Sequence, residues 1–205
     1  EGQSGVTIIA TPKAGSTRMF LMNTAKAPTD DINVRKAINM AIDKEAMLQL
    51  PGWAGYGRPG LAPLPSNMVP NGDLSSLEQY DIPYDIDGAN ALLDEAGWVD
   101  SNGDGTRDKD GVELVLIYGT TTREIRQDTQ AVAQQQLAEI GVGVELLNFD
   151  SDLFFATDGP AASGELDIMQ WSDTTEFPDP TISYWLIDEI PTEDNPIGLN
   201  WQRIR

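Results

Sequence analysis

The chain has 205 residues, enough for one domain or one large lobe with a real core. Thirteen basic against 33 acidic residues leave a formal charge of −20, a surface that repels phosphate backbones and anionic lipid and so argues against nucleic-acid binding. Cysteine and histidine are both absent, which excludes disulfides, thiol nucleophiles, zinc–thiolate sites, histidine triads and HExxH zinc sites, and leaves an enzyme only carboxylate, Lys or Tyr chemistry.

Hydrophobic residues make up 40% of the chain beside 19 Gly and 13 Pro, the composition of a globular but loop-rich protein. No apolar run is long enough to span a membrane and the start carries no cleavable signal, so Glu1 reads as a processed or engineered start. Residues 6–11 and 19–23 read as two strands joined by a Pro-Lys-Ala-Gly-Ser turn, without obvious local partners. Asp31 is placed to cap a helix whose Val34, Ala37, Ile38, Ala41 and Ile42 share one apolar face. Asp43 is placed to cap a second, short helix through Leu48. Residues 51–86 form a long irregular connection holding Trp53, Tyr56, Pro51, Pro59, Pro63, Pro65 and Pro70. A stretch of that length is often functional; the alternative, an arm held to the surface by its aromatics, is slightly preferred.

Asp87 is expected to cap the next helix, with Ala89, Leu92, Leu93 and Ala96 buried and Gly97 ending it. The loop 100–111, DSNGDGTRDKDG, has the look of a calcium loop: Asp100, Asn102 and Asp104 stand at positions 1, 3 and 5, Gly105 at 6, and Asp108 follows. Its twelfth position is Gly111 instead of a bidentate Glu, which favours a turn held by Asx hydrogen bonds without an ion. Residues 112–118 form a near-continuous apolar strand, and 122–140 a helix with Ile125, Thr129, Val132, Ala133, Leu137 and Ile140 on one face. Strand 142–148, a short helix starting at Asp150 and strand 166–171 complete two crossover units, hence an α/β fold with a mixed, largely parallel sheet and flanking helices. The loops 119–123 and 172–176 then open on one carboxyl edge, where open α/β sheets hold ligands. Asp173, Glu176 and Asp179 gather there beside Trp171, Phe177, Tyr184 and Trp185, and Asp179-Pro180 opens a short helix. Solvated acids over a core of aromatics would produce the same composition. The tail 188–205 shows little periodicity and no stop signal, which reads as a piece of a longer chain.

Five segments, in order over residues 19–187, carry a family resemblance. NVRKAINMAID at 33–43, YDIDGANALLDEAGW at 84–98, the Asp/Gly loop at 102–111, QQQLAEIGVGVEL at 134–146, and the strand and DP turn at 166–180 resemble the bacterial extracellular solute-binding proteins of peptide-type ABC importers. The resemblance implies a two-lobed clamp of periplasmic-binding-protein type, of which residues 1–205 form the second lobe: hinge-proximal strands at 1–30, a helical part at 31–98 and a strand–helix–strand–helix–strand core at 112–187. It implies no catalysis, no cofactor, an extracytoplasmic location in the periplasm or as a surface lipoprotein, a monomer, and an ABC permease as partner. Members of this class take peptides, nickel chelates, oligosaccharides and opines. By the family's pattern, the acid four residues before the proline of the DP turn pairs with a ligand ammonium, and that acid is Glu176. Trp171 and Phe177 would pack on the ligand, Asp173 would be secondary, and Arg123 would meet a ligand carboxylate. The chain departs from the pattern in having Glu where Asp is usual and Trp171 two residues early. Two rival readings remain: a glycoside hydrolase using Asp173 and Glu176, and a calcium-stabilised interaction module built on Asp100–Asp108.

Overall fold

A computed structural model describes residues 16–54, 57, 59, 60, 75–174 and 183–205, with the backbone alone at 16–19, 173 and 174. The expected strand at 6–11 and the DP turn at 178–180 lie outside these residues.

The first regular element is strand β1 (Ser16–Met22). Helix α1 (Ile32–Ala41) follows, capped by Asp31, whose side chain accepts from the Asn33 N–H. Its expected apolar face is the buried one: Val34, Ala37, Ile38, Ala41 and Ile42 are all in the core. Asp43 caps helix α2 (Lys44–Met47) through the Ala46 N–H, also as the sequence implies. A 3₁₀ turn (Ser75–Tyr80) leads to helix α3 (Ile86–Glu95). The cap of α3 is Asp85, not the expected Asp87, which stands in the first turn. Asp85 accepts from the Gly88 N–H at 2.9 Å, the Ncap-to-N3 bond that satisfies an orphan donor. Gly97 ends the helical segment with φ +85°, the left-handed conformation that a Cβ would penalise.

The apolar run at 112–118 is two elements rather than one. Strands β2 (Asp108–Lys109) and β3 (Val112–Glu113) form a small hairpin, and β4 (Val115–Thr121) starts after Leu114. Strand β4 extends further than expected, so 119–121 belong to the sheet and only 122–123 connect to helix α4 (Glu124–Ala138). Strand β5 (Gly143–Phe149), the short helices α5 (Ser151–Phe154) and α6 (Pro160–Ser163), and β6 (Ile168–Thr174) complete the crossover path.

The main sheet has the order β1-β6-β4-β5. β4 is parallel to both β5 and β6, while β1 closes the edge antiparallel to β6, from Ser16 opposite Thr174 to Met22 opposite Ile168. This supplies the partner that β1 lacks locally. Side chains alternate across the sheet, as a period of two requires. Leu116, Tyr118, Val144 and Ile168 face one way and share a core with α1, α3 and α4. Leu21, Ile117, Leu147, Met169 and Trp171 face the other and meet Phe154, Ala161, Leu166 and Trp201. The chain leaves β4 through α4 to β5 on one side, then returns across β4 to β6 on the other. The edge at the carboxyl ends of β4 and β6 is therefore a topological switch point.

Candidate functional site at the carboxyl edge

Two strand ends build this edge. On β4, Thr120 and Thr121 are both buried, and the Thr120 hydroxyl donates to the Gln170 carbonyl at 2.6 Å. On β6, Gln170 is completely buried, and neither its Oε1 nor its Nε2 has a hydrogen-bond partner. Helix α4 begins just beyond β4. Arg123 stands at its N-cap position, exposed, without a side-chain capping bond.

One turn inside the helix, Arg126 is 5% exposed. Its Nη1 donates to Thr121 Oγ1 at 2.7 Å, which draws the guanidinium to the end of β4. Its Nε has no acceptor, and among the described residues no carboxylate lies within ion-pair distance. Burial, and after it the charge of Arg123, lowers the Arg126 pKa from its ordinary value. Sequence reasoning passes over this residue when it tallies only apolar positions. The signal is there: Arg126, Gln130, Ala133 and Leu137 recur at helical spacing on the inner face of α4, and all four are buried.

Several expected site residues sit elsewhere or outside the described set. Trp171 packs into the second core. It is 5% exposed and ringed by Phe154, Phe155 and Trp201, with centroids 6.5, 6.1 and 5.4 Å away. The alternation of β6 explains this, since Trp171 follows Met169 onto the second core face. Asp173 is still in β6, its backbone opposite Thr17, so the expected turn at 172–176 starts at least three residues later. Glu176 and Phe177, like Asp179, lie outside the described residues.

The Asp/Gly loop is laced by its own hydrogen bonds. Asp100 accepts from the Gly103 and Gly105 N–H groups at 2.7 and 3.0 Å, and Asp104 from Thr106 N–H at 2.8 Å. Asn102 accepts from Asp104 N–H and donates to Asp104 Oδ2. Asp108 points back to Ser101, taking its N–H at 2.9 Å and its hydroxyl, and those bonds hold the Asp108 carboxyl below its ordinary pKa. The four expected ligands, Asp100, Asn102, Asp104 and Asp108, each accept hydrogen bonds from the loop itself. Among the described residues no group of three or more acidic side chains converges on one point.

Residues 1–190 match the family model described as the middle part of the bacterial extracellular solute-binding proteins, family 5. The chain belongs to that family. It is similar to the oligopeptide-binding protein AppA of Bacillus subtilis, 33% identical over 153 residues that cover 73% of this chain and 27% of that one. The nickel-binding periplasmic protein of Escherichia coli is 30% identical over 141 residues, 68% of this chain and 26% of that one. Among solved structures, AppA of B. subtilis in complex with a nonapeptide superposes with a TM-score of 0.76 at 26% identity, over 94% of this chain and 37% of that one. This family 5 chain therefore spans about a quarter of the length of the curated relatives that it matches. The fold, an α/β lobe of the peptide-binding periplasmic type, is the one that the sequence implied. The family's matched members are named as binding proteins, not enzymes, and none supports the hydrolase or calcium-module readings. Among the described residues no helix is long and apolar enough to cross a membrane.

Proposed function

We propose that this chain is the ligand-gripping lobe of the extracytoplasmic substrate-binding component of an ABC importer for peptides or related small solutes. The observation that carries the reading is the family match over residues 1–190, joined to a topological switch point whose carboxyl edge holds buried polar groups without partners. In this reading the solute enters at the carboxyl ends of β4 and β6, and a first lobe closes over it. Glu176 takes the ligand ammonium, Phe177 packs on the ligand, and Asp173 and Arg123 contribute at the rim. The complete protein works as a monomer that hands its solute to a permease. It needs no resident cofactor and performs no chemistry. The relatives named for oligopeptide, glutathione and nickel binding set the range of solutes to try.

The test is Glu176→Gln in the full-length protein, with calorimetry on trialanine. A buried, charge-assisted pair is worth about 1.5–3 kcal/mol, so the variant should bind about tenfold more weakly or worse. Unchanged affinity would remove Glu176 from the site. Recovery of hydrolysed instead of intact ligand would restore the enzyme reading.

A further inference from the structure

The acids of this chain lack counter-charge within the chain itself. Between Arg126 and Arg203 the sequence holds 15 acids and neither a lysine nor an arginine. That stretch carries β5, α5, α6, β6 and most of the tail. Within it, Glu139, Glu145, Asp158, Glu193 and Asp194 are exposed, and among the described residues their side chains make no hydrogen bond and no ion pair. The cations of the chain turn to backbone instead. Arg35 donates to the Thr29 and Asp30 carbonyls at 2.8 Å each, Lys109 to the Ala96 carbonyl at 2.7 Å, and Arg203 to those of Pro191 and Ala162 at 3.1 and 3.0 Å. Among the described residues the ion pairs are Lys26–Asp167 and Arg107–Asp94. Asp167 is buried, so of these two pairs only Arg107–Asp94 neutralises an exposed acid.

Some of these acids are also crowded. Glu193 and Asp194 are adjacent, and the Asn195 side-chain amide donates to the Asp188 carbonyl at 3.0 Å, so the turn folds Asp188 back beside them. The Debye length, about 10 Å in 0.1 M salt, reaches across such a turn, whereas at about 3 Å in molar salt it does not. Folding concentrates this like charge, and self-repulsion opposes the compact state unless dissolved cations gather over it. Solubility alone requires far less, since a net charge of about 2–8 serves a small domain. The chain carries −20. We infer that this lobe takes its counter-charge from dissolved monovalent cations and is built to hold its fold in salt nearer molar than tenth-molar strength. The cations form a diffuse layer over the acidic surface and occupy no fixed site. The inference stands apart from the solute-binding reading. Joined to it, an extracytoplasmic lobe of this kind belongs to a cell in a salt-rich medium.

The experiment follows thermal unfolding of the full-length protein at neutral pH in sodium chloride, from about 0.05 M to about 3 M. Wild type should gain at least about five degrees, most of it below about 1 M, where the Debye length collapses. Wild type that is unfolded at the lowest salt and folds when salt is added meets the same expectation. Two variants separate screening from salting-out. One combines Glu139→Lys, Glu145→Lys, Asp158→Lys, Glu193→Lys and Asp194→Lys; the other changes the same five acids to their amides, Gln or Asn. Salting-out acts through apolar surface and raises all three proteins alike. Screening makes each variant melt above wild type in the lowest salt, the lysine set by more than the amide set, with the gap closing toward about 1 M. A smaller wild-type gain overturns the inference, and so does a gain that the variants share in full. If the lysine set does not fold, the amide set, which keeps the shape of every side chain, decides alone.

Discussion

Asp167 Oδ2 accepts a 2.8 Å hydrogen bond from the Ile117 N–H, and the Asp167 N–H donates in return to the Ile117 carbonyl at 2.9 Å. A side chain thus takes the place of a neighbouring strand just before β6 begins. Lys26 stands 2.9 Å from the other carboxylate oxygen, off the line of a proper hydrogen bond, and donates to the Glu165 carbonyl at 2.6 Å. Asp167→Ala leaves the Ile117 N–H buried and unpaired, while Lys26, which is 38% exposed, relaxes toward water. The expected cost is about 1–3 kcal/mol, read as a lower urea midpoint at constant slope.

Arg107 is the clasp of the small end of the fold. Its Nε donates to the Ile140 carbonyl at 2.8 Å, Nη1 to Asp94 and to the Trp98 carbonyl at 2.6 Å each, and Nη2 to Asn90 at 2.8 Å. One planar fork ties the end of α3 to the end of α4. Lysine carries the charge but not the fork, so Arg107→Lys should cost about 1–3 kcal/mol, nearly as much as Arg107→Met. Equal stability of the Arg107→Lys variant and wild type in urea would show that charge alone matters.

Gly119 lies in β4 with the Leu166 side chain across it; a Cβ there would stand 2.3 Å from Leu166 Cδ1. Gly119→Ala should therefore destabilise by about 1–3 kcal/mol despite the better strand propensity of alanine, through overpacking. The double variant Gly119→Ala with Leu166→Ala should recover part of that loss, a coupling that a double-mutant cycle measures.

The Asp/Gly loop should be indifferent to calcium. Millimolar calcium or a chelator is expected to shift the melting temperature by less than about one degree, because ion binding to the folded state alone would raise it by mass action. Acid is a different matter. Asp108 has a lowered pKa through its bonds to Ser101, so its tether is intact above the unfolded pKa and is lost as pH falls through the folded one. NMR titration should place Asp108 below an ordinary aspartate, and Ser101→Ala should bring it back up.

Much of this fold can be read from residues. Asp31 and Asp43 each precede an apolar period of 3.6, and both cap the helix that follows. The parallel core is legible because its strands alternate with a long helix. What stays hidden has physical causes. The break between Glu113 and Val115 lies inside a near-continuous apolar run, where period gives no warning that two strands meet. Asp85 and Asp87 are both good caps, and only the bond to Gly88 decides between them. The pairing of β1 with β6 spans some 150 residues and has no local trace. The face that Trp171 joins stays hidden because one residue of register decides it. Arg126 escapes notice because a charge on a buried stripe is readily filed as a solvated neighbour.

The tail near the end of the chain is sewn to the end of β1: the Thr24 N–H donates to the Gln202 carbonyl at 2.9 Å and the Thr24 hydroxyl to the Arg203 carbonyl at 2.8 Å. Arg203 in turn reaches the carbonyls of Pro191 and Ala162. A mechanical load applied at residue 205 is thereby passed to the sheet's outer strand with almost no slack. Any swivel of this lobe would carry the tail and β1 together as one stiff lever, and stretching it at that point should shear several bonds at once instead of peeling them singly.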